Sequence, residues 1–375
     1  MITPSESTLG PGSSKSGNFK LAERKLKRLR SAGLFGEDTK GATIRRACTG
    51  NELCNAYRLV HDVFIDTGFL RPEPSGLRLR IFETTSETAT FIAEKDGGVV
   101  GVISVVGDSA DLGLPSDAAF KPELDQLRAK GLRLCEFTNQ AVTEAYRQSA
   151  VPTELMRCAV AHALRAGYQE SVATVSPSHH AFYGLMGFGD LGSERSYSAK
   201  LHDPVIALRL DLNGLLGPDT GLGGAAEFIR RFATETNPFI DLVDNWGKTA
   251  RRHFLNADLL EQLFVRPGNF LAERSAAELR SLRHRWGREL FDVLTAGTEF
   301  EPFHENADDA TPTPVELRSP GAAPFPPADT GSWLPAPSAS AWTALRNRII
   351  SVMSPGDDWS GQAIDRQQLW SYPSM

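Results

Sequence analysis

The sequence predicts an α/β fold, and three stretches carry that expectation. The apolar runs Phe91-Ile92-Ala93 and Val99 to Val106 flank Lys95-Asp96-Gly97-Gly98, whose glycines suit the tight turn of a β-hairpin. Leu132 to Val142 has strand character. Leu132, Leu134, Glu136, Thr138 and Gln140 would share one face, and Cys135, Phe137, Asn139 and Ala141 the other. Pro152 to Ala166 is a helix pattern, with Leu155, Met156, Ala159, Val160, Ala163 and Leu164 recurring at helical spacing. Pro152 suits the first helical position and Gly167 the C-terminal cap. A strand with one carboxylate, Glu136, thus runs through a turn holding Arg147 into a helix N-terminus, where free N–H groups and the dipole favour anions.

The other elements follow in order. Residues 1 to 18 have the composition of a disordered tail. Residues 19 to 30 form a short basic amphipathic helix, readable as a dock for an acidic partner or an anionic membrane surface, or as a solvated helix lying on the core. Thr43 to Arg46 reads as a first strand and Asn51 to Phe64 as a helix, with Leu53, Tyr57, Val60, Val63 and Phe64 near one face. Glu170 to Val175 is a strand, His179 to Met186 a short helix, and Ile206 to Leu212 a last strand. Residues 213–225 are glycine-rich and read as a linker, and 226–299 as a helical appendage in which Ser275-Ala-Ala-Glu278 is a capping-box pattern. Trp246 and Trp286 are expected to bury its helices. Residues 300–375 read as a proline-rich flexible tail, with one short amphipathic pattern at Trp342 to Met353. The flexible N-terminal segment spans 1–41 and the core 42–212.

At 375 residues the chain is long for one domain. Its 40 Lys and Arg against 46 Asp and Glu argue against bulk nucleic-acid binding. Cys48, Cys54, Cys135 and Cys158 have no metal-binding spacing and read as reduced thiols. His179 and His180 have no visible second ligand cluster, so no metal is expected. The first residues lack a signal-peptide pattern, and no apolar run nears the roughly 20 residues of a membrane helix. A cytoplasmic protein is expected.

Several motifs stand in a particular order: Tyr57-Arg58-Leu59 with Val63-Phe64, Gly101-Val-Ile-Ser, and Asp108-Ser109-Ala-Asp-Leu-Gly113-Leu-Pro115. Further on come Leu134-Cys-Glu136-Phe-Thr-Asn-Gln-Ala141-Val142 and His180-Ala-Phe182-Tyr183-Gly-Leu-Met-Gly187-Phe188. With these residues on them, the order of elements resembles the GNAT acyltransferase superfamily. Within it the chain is similar to the N-acyl amino acid synthases of the FeeM type, relatives of the acyl-homoserine lactone synthases. The likeness covers about residues 42 to 212. It implies a GNAT-type mixed, mostly antiparallel central sheet, flanked by helices and split near the Glu136 strand, with the helical appendage and disordered ends added.

The resemblance also implies a reaction: transfer of a long-chain acyl group from a thioester to the amino group of an amino acid. The donor implied is acyl carrier protein or acyl-CoA, with no bound cofactor. Glu136 is then the base, since an ammonium must lose a proton before attack. Tyr183 is the proton donor to the leaving thiolate, and backbone N–H groups near Thr138 to Val142 serve the oxyanion. Arg58, Phe64, Phe137, Thr138, Asn139, Val142, Arg147 and Ser149 are the expected substrate- or donor-binding residues. The superfamily's pyrophosphate loop, Arg/Gln-x-x-Gly-x-Gly/Ala, stands here as Arg147-Gln-Ser-Ala150-Val-Pro152 and lacks both glycines. A backbone without glycine approaches a pyrophosphate less easily, which favours the singly phosphorylated arm of a carrier protein. Val60, Ser104 and Asn139 stand where nearby families often have arginine. Two other readings stay open: a CoA-dependent N-acyltransferase on another small amine, and a catalytically inactive GNAT-fold binding module.

Overall fold

The computed structural model describes residues 23–85, 87–197, 204–216, 224–243, 256–266 and 270–300. The expected N-terminal tail, Trp246, the tail beyond residue 300 and the Trp342 to Met353 pattern lie outside these.

Among the described residues seven strands form one sheet: β1 (Thr43–Arg46), β2 (Thr88–Lys95), β3 (Gly98–Gly107), β4 (Leu134–Val142), β5 (Glu170–Val175), β6 (Gly189–Arg195) and β7 (Val205–Asp211). Their order across the sheet is β1-β2-β3-β4-β5-β7-β6. All neighbours pair antiparallel except β4 and β5. The expected mixed, mostly antiparallel sheet flanked by helices is therefore borne out. The β2–β3 turn has positive φ at Asp96 (51°) and Gly97 (80°), the backbone that the strands' twist demands of a two-residue hairpin. Sequence reading passed over β6, which is only partly buried and has no apolar alternation.

One face of the sheet is covered by α5 (Val151–Arg165), whose buried residues include Leu155, Met156, Cys158, Ala159 and Val160. Pro152 lies in its first turn, and Gly167 follows its C-terminus at φ 76°. α4 (Glu144–Arg147) and α7 (Leu212–Leu216) are short turns of helix, and α6 (His180–Leu185) and α8 (Gly224–Ala233) extend that face. Residues 23–31 are helical (α1), and Leu26 and the following Phe35 join the same core, Phe35 packing edge-on against Phe232 at 5.3 Å. The opposite face is covered by α2 (Gly50–Asp66) and α3 (Asp117–Ala129). Thr49 and Glu52 close a capping box at the start of α2. Its buried residues Leu53, Ala56, Tyr57 and Val60 lie on the stripe its periodicity predicts, so Val60 sits where an arginine would have to bury its charge in apolar core.

The C-terminal helices Ala276–Trp286 and Arg288–Thr295 join this second core. Leu279, Leu282, Trp286 and Phe291 cluster with Leu53, Tyr57, Val60 and Ile92 of α2 and β2. The Ser275–Glu278 capping box forms as read from the sequence. Arg285 then reaches the sheet, donating to Glu87 at 2.9 Å and, by a forked contact, to Asp111. Phe291 is wholly buried. Phe291→Ala is therefore expected to destabilise the core by about 3–5 kcal/mol in one cooperative urea transition. An unchanged midpoint would show that the C-terminal helices fold apart from the sheet.

Candidate active site

β4 and β5 pair over only three positions: Leu134 with Glu170, Cys135 with Ser171, and Glu136 with Val172. β4 then runs on to Val142 beside β3 alone. The strands part directly after Glu136, and among the described residues the β5-facing edge of residues 137–142 has no ladder partner. A bulge lies on this edge. Val102 faces Ala141 and Ser104 faces Thr138, so Ile103 stands against two residues, Asn139 and Gln140. Asn139 takes the left-handed backbone at φ 54°, a conformation Asn tolerates better than most side chains.

The bulge corrects the expected alternation. Cys135, Phe137 and Val142 belong to the α5-side core, while Ala141 belongs to the α2-side core. Thr138 and Asn139 both bond to groups on the α2 side, and Gln140 turns to the α5 side. Gln140 therefore does not share a face with Glu136; one extra residue in the strand inverts the pattern beyond it.

Glu136 is buried at 2% exposure. Its Oε2 accepts from the Ser116 N–H at 2.7 Å, at the start of α3. Burial pushes its pKa up to about 7, against the opposing pull of Ser116 and of the Arg80 cation. Ser116 Oγ also contacts Thr174 Oγ1 of β5, so the carboxylate lies where α3, β4 and β5 meet.

Beside it is a buried polar network. Glu83 receives Arg80 Nη2 at 2.6 Å and Nε at 3.1 Å, the Arg80 backbone N–H at 2.6 Å, and Asn139 Nδ2 at 3.0 Å. Arg80 Nη1 also donates to Thr138 at 3.3 Å. Burial opposes the Arg80 charge, but Glu83 outweighs it and the pKa is raised. Ser104, on the adjoining strand, meets Thr90 at 3.1 Å. Tyr197 Oη donates to the Pro115 carbonyl at 2.7 Å, within the field of both Glu136 and Arg80. Sequence reading singled out none of Arg80, Ser116 and Tyr197. The available signal was Leu77-Arg-Leu-Arg-Ile81, cations alternating with apolar residues that are buried or partly so.

Tyr183 lies across the sheet from Glu136. Its hydroxyl donates to Gln140 Oε1 at 2.8 Å, and Gln140 Nε2 donates to the Pro152 carbonyl at 3.1 Å. Burial pushes the phenol pKa up, so the proton stays on it at neutral pH. At the start of α5, the Ala150 N–H donates to the Asp38 carbonyl at 2.9 Å and the Val151 N–H to Ser149 Oγ at 3.2 Å. Ser149 in turn donates to the Tyr146 carbonyl at 2.7 Å. Arg147 is exposed, its Nε donating to the Val142 carbonyl at 3.0 Å.

The remaining expected residues do not converge here. Arg58 is exposed on α2 and donates to Asn55 at 3.2 Å. Phe64 stacks edge-on with Phe69 at 5.3 Å on the α2 side. Phe137 packs near Phe188 on the α5 side, so the sheet separates it from Phe64. His180 meets Asp190 at 2.7 Å. Among the described residues no three His, Cys, Asp or Glu side chains are grouped to hold a metal ion.

Comparison with known proteins adds the decisive observation. Residues 55–211 match the family model described as N-acyl amino acid synthase FeeM. Over this stretch, under half of the chain, the protein is similar to the N-acyl amino acid synthases of the FeeM type. The expected resemblance, and with it the N-acyltransferase reading, is borne out. Among solved structures, FeeM itself, from uncultured soil microbes, is 25% identical, with a TM-score of 0.41 over 46% of this chain and 91% of its own. The CoA-dependent acyl-homoserine lactone synthase BjaI is 16% identical, with a TM-score of 0.36 over 52% and 92%. An acyl-CoA N-acyltransferase from Pseudomonas aeruginosa is 18% identical, with a TM-score of 0.33 over 45% and 99%. No curated protein matches the chain.

The Glu136 environment has a consequence for stability. Its folded pKa lies above the unfolded carboxyl value, so its protonated form favours folding and that contribution is lost as pH rises through about 7. Glu136→Gln is therefore expected to raise the melting temperature relative to wild type at pH 8 and to leave it level at pH 5. An equal effect at both would show that the carboxylate ionises freely.

Proposed function

We propose that the chain acylates the amino group of an amino acid with a long-chain acyl thioester. The observation that carries this is the place of Glu136: a sealed carboxyl of pKa about 7, at the point where β4 and β5 part. A base of that pKa is about half ionised at neutral pH and can still take a proton from an ammonium. The acyl-bearing pantetheine arm would enter the opening between the strands. The amine would approach from the α2–α3 side, where Glu136 lies. Attack gives a tetrahedral oxyanion, met by N–H groups of β4 beyond Glu136. Collapse breaks the C–S bond, Tyr183 on the α5 side gives its proton to the departing thiolate, and the extra proton on the new amide nitrogen passes to solvent, from which the phenolate recovers its own. Phe64 and Phe137, on different sides of the sheet, would then serve separate parts of the apolar path.

For the donor we infer acyl carrier protein, with Arg147 at the phosphate. Two amides that a pyrophosphate would need, those of Ala150 and Val151, are already engaged by Asp38 and Ser149. The same turn is contacted by the segment that follows α1: Phe35 N–H donates to Thr153 at 3.2 Å and Lys40 to the Ala145 carbonyl at 2.6 Å. α1 exposes Arg24, Lys25, Lys27, Arg28 and Arg30 against one acid, Glu23. A carrier protein, being acidic, would find a basic surface beside the donor entrance. Four free cysteines accord with a cytoplasmic setting.

Purified protein given acyl carrier protein thioester and amino acids should yield N-acyl amino acids by mass spectrometry. Glu136→Gln should lower kcat at least about 100-fold, with wild-type kcat/KM rising with pH through about 7. An undiminished rate would remove Glu136 from the chemistry. Reversing Lys27 and Arg28 to Glu should raise KM for the carrier-bound donor about tenfold, in a salt-sensitive manner, and spare free acyl-CoA. Equal effects on both donors would overturn the carrier-protein assignment.

A further inference from the structure

Arg78 is a partly buried cation without an acid of its own among the described residues. It follows α2 in the chain, and its backbone N–H is fixed to the Tyr57 carbonyl at 3.0 Å. Its Nε is sealed from solvent and has no hydrogen-bond partner, though the residue as a whole keeps some exposure. Among the described residues no carboxylate lies within ion-pair distance of its guanidinium. The charges that act on it come from Arg80, Glu83, Tyr197 and Glu73. Glu83 is fully committed, one oxygen to the Arg80 side chain and Asn139 and the other to the Arg80 backbone. Burial, then repulsion from Arg80, lowers the Arg78 pKa to about 10, which still leaves it charged at neutral pH. Keeping a sealed guanidinium N–H unpaired beside a like charge is costly.

The position gives that charge a use. Arg78 stands two residues before Arg80, whose Nη1 donates to Thr138, two residues beyond Glu136 on β4. Tyr197, whose hydroxyl bonds the carbonyl of Pro115 next to the Ser116 that holds Glu136, lies within the field of Arg78 as well. The chain thereby brings Arg78 and Glu136 to the same α2–α3 side of the sheet. An α-amino acid carries an anion and a basic nitrogen two bonds from its carboxyl carbon. We propose that Arg78 is the acceptor-binding residue, its guanidinium fork taking the carboxylate while Glu136 receives the proton from the amine. The carboxylate supplies the missing counter-charge and a hydrogen-bond acceptor for the fork. Selection among amines then rests on charge: amino acids bind, whereas their amides and decarboxylated analogues leave Arg78 unpaired and are refused. This inference rests on the N-acyl amino acid synthase reading and names its acceptor contact.

The test compares wild type with Arg78→Met and Arg78→Lys, each offered an amino acid, its primary amide and its decarboxylated amine. Wild type should favour the amino acid over the amide by about 10- to 100-fold in kcat/KM. Arg78→Met should raise KM for the amino acid by a similar factor, with kcat little changed and the other two acceptors unaffected. Arg78→Lys, which keeps charge but loses the fork, should fall between. An unaltered acceptor preference in Arg78→Met, or none in wild type, would overturn the proposal. Arg78→Met should fold at least as well as wild type, because it removes an unpaired buried charge. A binding readout separates this inference from the function on which it rests. Should no amine be acylated, an amino acid ought still to raise the melting temperature of wild type and not of Arg78→Met. Equal shifts, or none in either, would dispose of the carboxylate site itself.

Discussion

The hydrogen bond from Asn139 to Glu83 ties a backbone irregularity to a charge network. Asn139 sits at positive φ in a bulge, and its side chain is held at 3.0 Å by a carboxylate that also grips Arg80. A bulge bends its strand and increases local twist. Here it lies just past the last β4–β5 pair, where the two strands separate. Shape and electrostatics are thus set by the same few atoms. The strand that opens the sheet also positions Thr138 toward Arg80 and sends Gln140 to the other side to meet Tyr183.

This division makes chemical sense of a polar cluster with two buried carboxylates and two partly buried arginines. Glu83 is surrounded by donors and serves as a fixed anion. Glu136 accepts from Ser116 and carries a pKa about 7, so it can exchange a proton. Arg80 spends its guanidinium on Glu83 and Thr138. Arg78, a short step back along the same segment, has no comparable engagement. Identical residue types acquire distinct roles through their partners, as two carboxyl groups do in any site where one must hold charge and the other must pass it on.

Much of the frame was legible. Strand β1, strand β5, the hairpin and α5 follow from apolar periodicity and from proline and glycine at the right positions, because local backbone preference and burial agree there. Glu136 was legible as the carboxylate on the central strand, and Tyr183 through the family likeness. The bulge was not, since Asn139-Gln140 continues an alternation that only three-dimensional pairing interrupts. Helix α3 escaped notice because Pro122 interrupts the pattern and Phe120 at its start departs from helical geometry. Arg78 and Arg80 sit in irregular backbone between α2 and β2, where no period marks an inward-facing side chain. Arg58, on a readable helix, drew attention instead and faces solvent.

The clasp of Arg285 on Asp111 and Glu87 carries an implication for where the enzyme ends. Asp111 lies in the connection from β3 to α3, the same connection that delivers the Ser116 amide to Glu136. Leu279, Leu282 and Phe291 meanwhile complete a hydrocarbon interior shared with α2. The folded body therefore extends beyond the stretch that matches the family model. A chain trimmed after β7 would bare an oily flank on α2 and unmoor the loop whose Ser116 amide holds Glu136.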